Sequence, residues 1–246
     1  MTRTGDGANH ARRAVLAGTG ALAVSALAGC LGGGRASDRG SERGSESGGP
    51  TATPDENSLS NHPAAANLDA QPTRGPDPFE ARGVVVAFED PSCPRCRVFE
   101  QDTVPQIQSD LVESGTVSLV FRGYPVIYPW GKPATQALES TFAASADAFW
   151  ALKNHYFAKQ SSFTTDNVLD ATREFLAANA DVDAEAVVAD AEAKGHDAQV
   201  QADLDAGMAA GAGHTTPSVF LFSNGEYRTK ASGSVSYSVV KNALGL

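Results

Sequence analysis

The stretch "GVVVAFEDPSCPRC", residues 83–96, decides how this chain is read. Gly83 to Phe88 is a continuous apolar run rich in β-branched residues, the pattern of a strand buried on both faces. The run breaks at "EDPS", and Cys93 and Cys96 follow, separated by two residues. The whole chain has three cysteines in 246 residues, so two of them are spent at this point. From Cys93 to about Glu113 the pattern turns helical. Val98, Phe99, Ile107 and Leu111 supply the apolar positions, Gly115 is a stop, and Pro105 inside the run predicts a kink. "TVSLVFRGYP", Thr116 to Pro125, is a second buried strand. Strand, helix and strand in this order form a βαβ unit with a right-handed crossover. The cysteine pair then stands at the C-terminal end of the first strand, where open α/β sheets place their reactive groups.

Downstream, "PATQALESTFAASADAFWALKNHYFAKQ", "TTDNVLDATREFLAAN", "DAEAVVADAEAKG" and "DAQVQADLDAGMAAG" read as amphipathic helices. Thr165 and Asp183 are expected N-caps, and Gly195 and Gly211 expected stops. Next comes a hairpin, "TTPSVFLFSNGEYRTKASG", turning at Asn224-Gly225, and a short helix over 237–244. The expected fold is therefore α/β: a βαβ half, a helical insertion over about 130–212, and a ββα half. Phe149, Trp150 and Phe157 read as core. Tyr128 and Trp130, in a Pro-rich loop, are candidates for lining a peptide groove.

Upstream, Arg12-Arg13 precede an uncharged run from Ala14 to Ala28 and then Gly29-Cys30. As a helix this run spans about 22 Å, short of a hydrocarbon core of about 30 Å, so it reads as a signal-peptide core. The twin arginine points to an export route for folded cargo. "LAGC" resembles a lipobox, which makes Cys30 a lipidation site and the membrane a partner through that lipid. Residues 30–80 are Gly, Ser, Pro and charge with scattered single apolar residues, expected to be a disordered tether. That leaves 81–246 as one domain of ordinary size. With 29 acidic against 19 basic residues the chain carries a net charge of −10, which argues against nucleic acid as a partner.

A thiolate is the reactive form of cysteine, and a helix start supplies unpaired N–H groups to stabilise it. Cys93 occupies that position. Pro94 suits the first helical turn because it has no N–H to lose, and Arg95 brings a permanent cation nearby. Cys96, one turn on, is near enough to close a small disulfide ring. A zinc site wants four ligands, and no second CxxC or closely spaced His pair exists, so no metal is expected. A structural staple is also a poor reading, because so short a loop gains little entropy. The remaining reading is a redox pair in an oxidising compartment.

With these residues in place, the chain resembles the DsbA-like thiol:disulfide oxidoreductases of the thioredoxin superfamily. The resemblance runs from about Gly83 to Leu246 and is carried by "FEDPSCPRCRVFEQDTVPQI", "LVFRGYP", "TTPSVFLFSNG" and "ASGSVSYSVVKNAL". It implies a thioredoxin fold, Cys93 and Cys96 as the catalytic pair, and no cofactor. It also implies a cis Pro217 facing the pair, with the Thr216 backbone pairing to an extended substrate. Protein or peptide thiols and disulfides would be the substrates, and a membrane redox partner would complete the cycle. The chain departs from the family at Ala87, where some members carry a buried acid; Glu89 and Asp90 lie nearer the pair and are the candidates for tuning it. His214, before Thr215-Thr216-Pro217, is a candidate titrating neighbour. Dithiol oxidation is the expected direction. Two alternatives stay open: a reductant fed from the membrane, and a copper carrier using Cys93, Cys96 and His214 as ligands.

Overall fold

The computed structural model describes residues 55–246. The expectations for residues 1–54, including the export signal, Cys30 and the first part of the tether, lie outside the described residues. Among those described, no helix is long and apolar enough to cross a membrane.

A five-stranded mixed sheet organises the domain, in the order β1-β3-β2-β4-β5. The central strand β2 (Gly83–Glu89) is buried at every position, as its unbroken apolar sequence requires. It runs parallel to β3 (Val117–Gly123), with Glu89 opposite Gly123. On its other side it pairs antiparallel with β4 (Ser218–Ser223), with Phe88 opposite Ser218. β4 turns through Asn224-Gly225, both at positive φ, into the edge strand β5 (Glu226–Ser232), whose alternating exposure marks one solvated face. The strand β1 (Thr73–Arg74), absent from the sequence reading, pairs antiparallel with β3 at the other edge.

The helix after β2 runs without a break from Pro94 to Val112, and Pro105 reshapes it. An α segment, α1 (Pro94–Val98), gives way to a π segment (Phe99–Thr103), then to α2 (Val104–Ile107) and a second π segment (Gln108–Val112). Pro105 has no N–H to give to the preceding turn, and the chain answers by widening that turn: Val104 N–H bonds Phe99 O, five residues back. The insertion contains α3 (Gly131–Ala144), α4 (Ala146–Ala158), α5 (Val168–Asn179), α6 (Ala184–Glu192) and α7 (Asp197–Ala209). Asp183 caps α6 as expected, through Ala186 N–H. Thr165 does not cap α5: Asn167 stands at that position instead and turns its amide oxygen back to Thr164 N–H. The closing helix α8 is Tyr237–Leu244.

The tether expectation fails from residue 55 onward. Leu59, Ala64, Ala65 and Leu68 are buried in one cluster with Phe88, Val120, Phe220 and Phe222. His62 stacks on Tyr227, and Arg122 donates to the carbonyls of Ala64 and Ala66. The segment has too few apolar residues to make a core of its own. It contributes them singly to a core that the sheet has already formed.

Candidate active site

The end of β2 delivers the chain into a bracketed loop. Asp90 is buried; its Oδ1 accepts from Ser92 N–H at 2.7 Å and Ser92 Oγ at 2.6 Å, and its Oδ2 accepts from Ile127 N–H at 2.7 Å. Burial raises the Asp90 pKa more than these donors lower it. A β-carbon at Gly131 would sit 2.3 Å from Asp90 Oδ1, so glycine is what lets α3 begin against this carboxylate. Asp90 therefore ties the cysteine loop to the loop after β3. The backbone is then pinned from above and below: Cys93 N–H bonds Asp90 O, and buried Gln160 donates to Pro91 O and Cys93 O.

Cys93 is the N-cap of α1, with extended backbone, and Pro94 follows at the first helical position, exposed. Cys93 retains 3 % of its surface and Cys96 none, and both thiols are free. The Cys93 thiol lies 3.3 Å from Thr216 O and donates to it. Thr216–Pro217 is a cis peptide, and Pro217 O is held by Gly233 N–H at 2.9 Å. The structure thus brings Cys93, Cys96, Thr216 and Pro217 together.

Electrostatics separate the two sulfurs. The Cys93 pKa falls from 9.0 to about 6, chiefly because the Cys96 thiol donates to the thiolate, against the opposing cost of burial. The buried Thr216 side chain and the N–H groups of Cys96 and Arg95 add to it. Arg95 thus acts through its main chain. Its exposed guanidinium lies against Gly233. Burial drives the Cys96 thiol well up, helped by the bond to Cys93 and by the charge of Glu89.

Glu89 is 1 % exposed beneath the pair, and its Oε2 has no partner. Burial raises its pKa well above the ordinary carboxylate value, and neighbouring Glu100 pushes the same way while Lys153 opposes. Lys153 is itself buried, its Nζ 2.5 Å from Glu100 Oε1 and over the rings of Trp150, Phe121 and Phe157. Glu100, Lys153 and Gln160 escaped the sequence reading. One signal existed for Lys153: it stands three and four residues from Phe149, Trp150, Tyr156 and Phe157, on the apolar face of α4. Phe149, Trp150 and Phe157 are core, as expected. Trp130 is core as well, packed against Tyr156 and Phe163, and so does not line a groove. Tyr128 is half-exposed, and His214 is exposed in the same groove. Ala87 is buried in the sheet core and offers no titrating group.

Comparison with known proteins agrees with this geometry. Disulfide bond formation protein D of Bacillus subtilis is 32 % identical over 104 residues, a stretch covering 42 % of this chain and 45 % of that protein. The chain thus matches less than half the length of that curated relative. The crystal structure of oxidised BdbD from Bacillus subtilis superposes with a TM-score of 0.62 at 24 % identity, over 72 % of this chain and 92 % of that one. Wolbachia pipientis alpha-DsbA1 superposes with a TM-score of 0.58 at 18 % identity, covering 71 % of this chain and 89 % of that one. Both superpositions show the fold. The family model described as thioredoxin matches residues 78–238, from just before β2 into α8 and across both halves of the sheet, and on that match the chain belongs to the thioredoxin family.

Proposed function

We propose that this protein is a thiol:disulfide oxidoreductase acting on protein or peptide thiols outside the cytoplasm, with Cys93 as attacking and Cys96 as resolving sulfur. The observation that carries the reading is the asymmetry of the pair. Cys93 sits at a helix start, 3.3 Å from Thr216 O, with its pKa lowered to about 6, while Cys96 is closed in with its thiol pushed up. The names of the relatives, disulfide bond formation proteins and DsbA-type proteins, agree with it.

In the oxidising direction a substrate thiolate attacks Cys93 Sγ of the Cys93–Cys96 disulfide. The disulfide breaks, a mixed disulfide forms, and Cys96 leaves with the electron pair. The Cys96 sulfur is buried, so its charge needs a proton at once. Glu89 beneath it is the donor in this reading, because burial raises its carboxyl pKa and so favours the form that carries a proton. A second substrate thiolate then attacks the substrate sulfur. The substrate departs two electrons poorer, and Cys93 departs as a stabilised thiolate. Stabilising the reduced pair makes its disulfide the stronger oxidant, so we read the net direction as dithiol oxidation, with a membrane partner re-oxidising the pair. The Thr216 backbone would pair with the extended substrate.

The copper-carrier alternative lacks its ligand set: among the described residues no three His, Cys, Asp or Glu gather as a metal site. Export and anchoring rest on Arg12-Arg13 and on "LAGC", with Cys30 as the lipidated residue at the outer face of the cytoplasmic membrane.

Trapping tests the core of this. Cys96→Ser should accumulate a mixed disulfide with a substrate peptide and Cys93→Ser should not. Adducts on Cys93→Ser alone would reverse the assignment. Metabolic lipid labelling that is lost in Cys30→Ser checks the anchor.

A further inference from the structure

The loop after β3 and the loop before Pro217 form the two walls of a groove of about 450 Å³. Pro125, Ile127, Tyr128 and Leu204 give it an apolar lining, and Lys132 and His214 stand in the same lining. No carboxylate lines it, on a chain with 29 acidic residues against 19 basic ones. The nearest acids in sequence flank Leu204 on α7. Asp203 is turned inward onto Arg122, and Asp205 accepts from Gln201 at 2.8 Å. Two of the six large apolar side chains left exposed on the described surface, Ile127 and Tyr128, line the groove.

Both walls are fastened to the thiol site. Ile127 N–H bonds Asp90, and Tyr128 N–H bonds Ser92 Oγ at 3.0 Å, next to Cys93. His214 lies two residues before Thr216, whose carbonyl meets the Cys93 thiol. Tyr124 ties the walls to each other through its hydroxyl, 2.8 Å from Gly213 O. It can lie there because Gly207 has no side chain; a β-carbon on Gly207 would come within 2.4 Å of the tyrosine ring.

We propose that this groove is the specificity subsite of the thiol site and selects extended peptide segments that carry an apolar residue and an acidic residue beside the reacting cysteine. The apolar residue rests on Pro125, Ile127 and Leu204. The acid faces Lys132 and His214. This rests on the redox reading above, and it deepens that reading by naming the substrate class. Complementary charge at an exposed rim chiefly sets encounter and partner choice, and it weakens with salt.

The probe is a short peptide with Ser in place of the reacting Cys, a neighbouring Leu, and Glu, Gln or Lys two positions on. Its dissociation constant is measured with the wild-type protein at low ionic strength. The Glu peptide should bind about fivefold more tightly than the Lys peptide. Lys132→Glu should invert that order, and His214→Gln should narrow it. Equal binding of the three peptides, no binding of any, or an order unmoved by Lys132→Glu would overturn the proposal. Disulfide exchange of the wild-type protein with dithiothreitol is followed separately. A protein that binds the acidic peptide but exchanges no disulfide keeps the groove and loses the redox reading. One that exchanges but binds without regard to charge does the opposite.

Discussion

Cys93 and Cys96 are chemically identical side chains three positions apart, and their surroundings drive the thiols in opposite directions. In an unfolded chain the Cys93 thiol titrates near 9.0, and in the folded dithiol form at about 6. A folded pKa held below the unfolded one adds stability above the unfolded value, and that stability is lost as pH falls through the folded value. The dithiol form should therefore gain stability relative to the disulfide form as pH rises from 6 to 9. Cys96, shifted upward, opposes this only above 9. Melting both forms across this range gives the check: the gap between their melting temperatures should move steadily in favour of the dithiol form, and a constant gap would show that Cys93 is not acidified. The largest cause is the Cys96 thiol, so alkylation of Cys93 in Cys96→Ala should titrate above 6.

At the scale of elements, one buried ion pair fixes how the insertion meets the sheet. Arg122 on β3 and Asp203 on α7 are 0 % and 1 % exposed, with Arg122 Nη2 2.6 Å from Asp203 Oδ1. Asp203 also accepts from Gly123 N–H and from Gln71, while Arg122 reaches Ala64 O and Ala66 O. Neighbouring Glu139 on α3 is pushed up to about 8 by burial and by the Asp203 charge. Removing one partner leaves a buried charge alone, at a cost of about 3–5 kcal/mol. Asp203→Asn should lose roughly this in urea unfolding. Arg122→Met with Asp203→Leu should lose much less, since apolar replacement removes both desolvation penalties. Equal losses in the two variants would show that the pair's hydrogen bonds to the backbone, and not its charge, hold α7 to β3.

For the molecule as a whole, the domain begins well before the first long strand. Residues 55–70 close one face of the sheet by burying Leu59 and Leu68 and by giving Arg122 two carbonyl acceptors. Burying a leucine contributes about 1.5–3 kcal/mol, so the segment is worth at least ~3 kcal/mol. A chain starting at residue 71 should melt about 10 °C below one starting at residue 55. Coincident melting would return residues 55–70 to the status of a tether.

The order of strands and helices was legible because each element carries its own period. The run from Gly83 to Phe88, the Asn224-Gly225 turn and the helix over 237–244 stand where the pattern puts them, as do the cysteines at the end of the central strand. The spacing of Cys93 and Cys96 at a helix start named the redox pair locally, whereas Thr216 and Pro217 entered only through the family resemblance, because Thr-Thr-Pro by itself reads as an ordinary strand start. Tertiary structure decided the rest. Leu59 and Leu68 are isolated apolar residues in a polar stretch, and only the faces of β2 and β4 give them a place to be buried. Sequence proximity offered Glu89 and Asp90 alike; the fold separates them, turning Asp90 onto Ser92 and Ile127 and burying Glu89 where Glu100 and Lys153, from two other helical segments, act on its charge. The Arg95 guanidinium turns to Gly233, leaving its N–H to face the sulfur. Periodicity records which way a residue faces along its own element. Desolvation and partnership depend on what the rest of the chain brings against that face, and only the folded chain determines them.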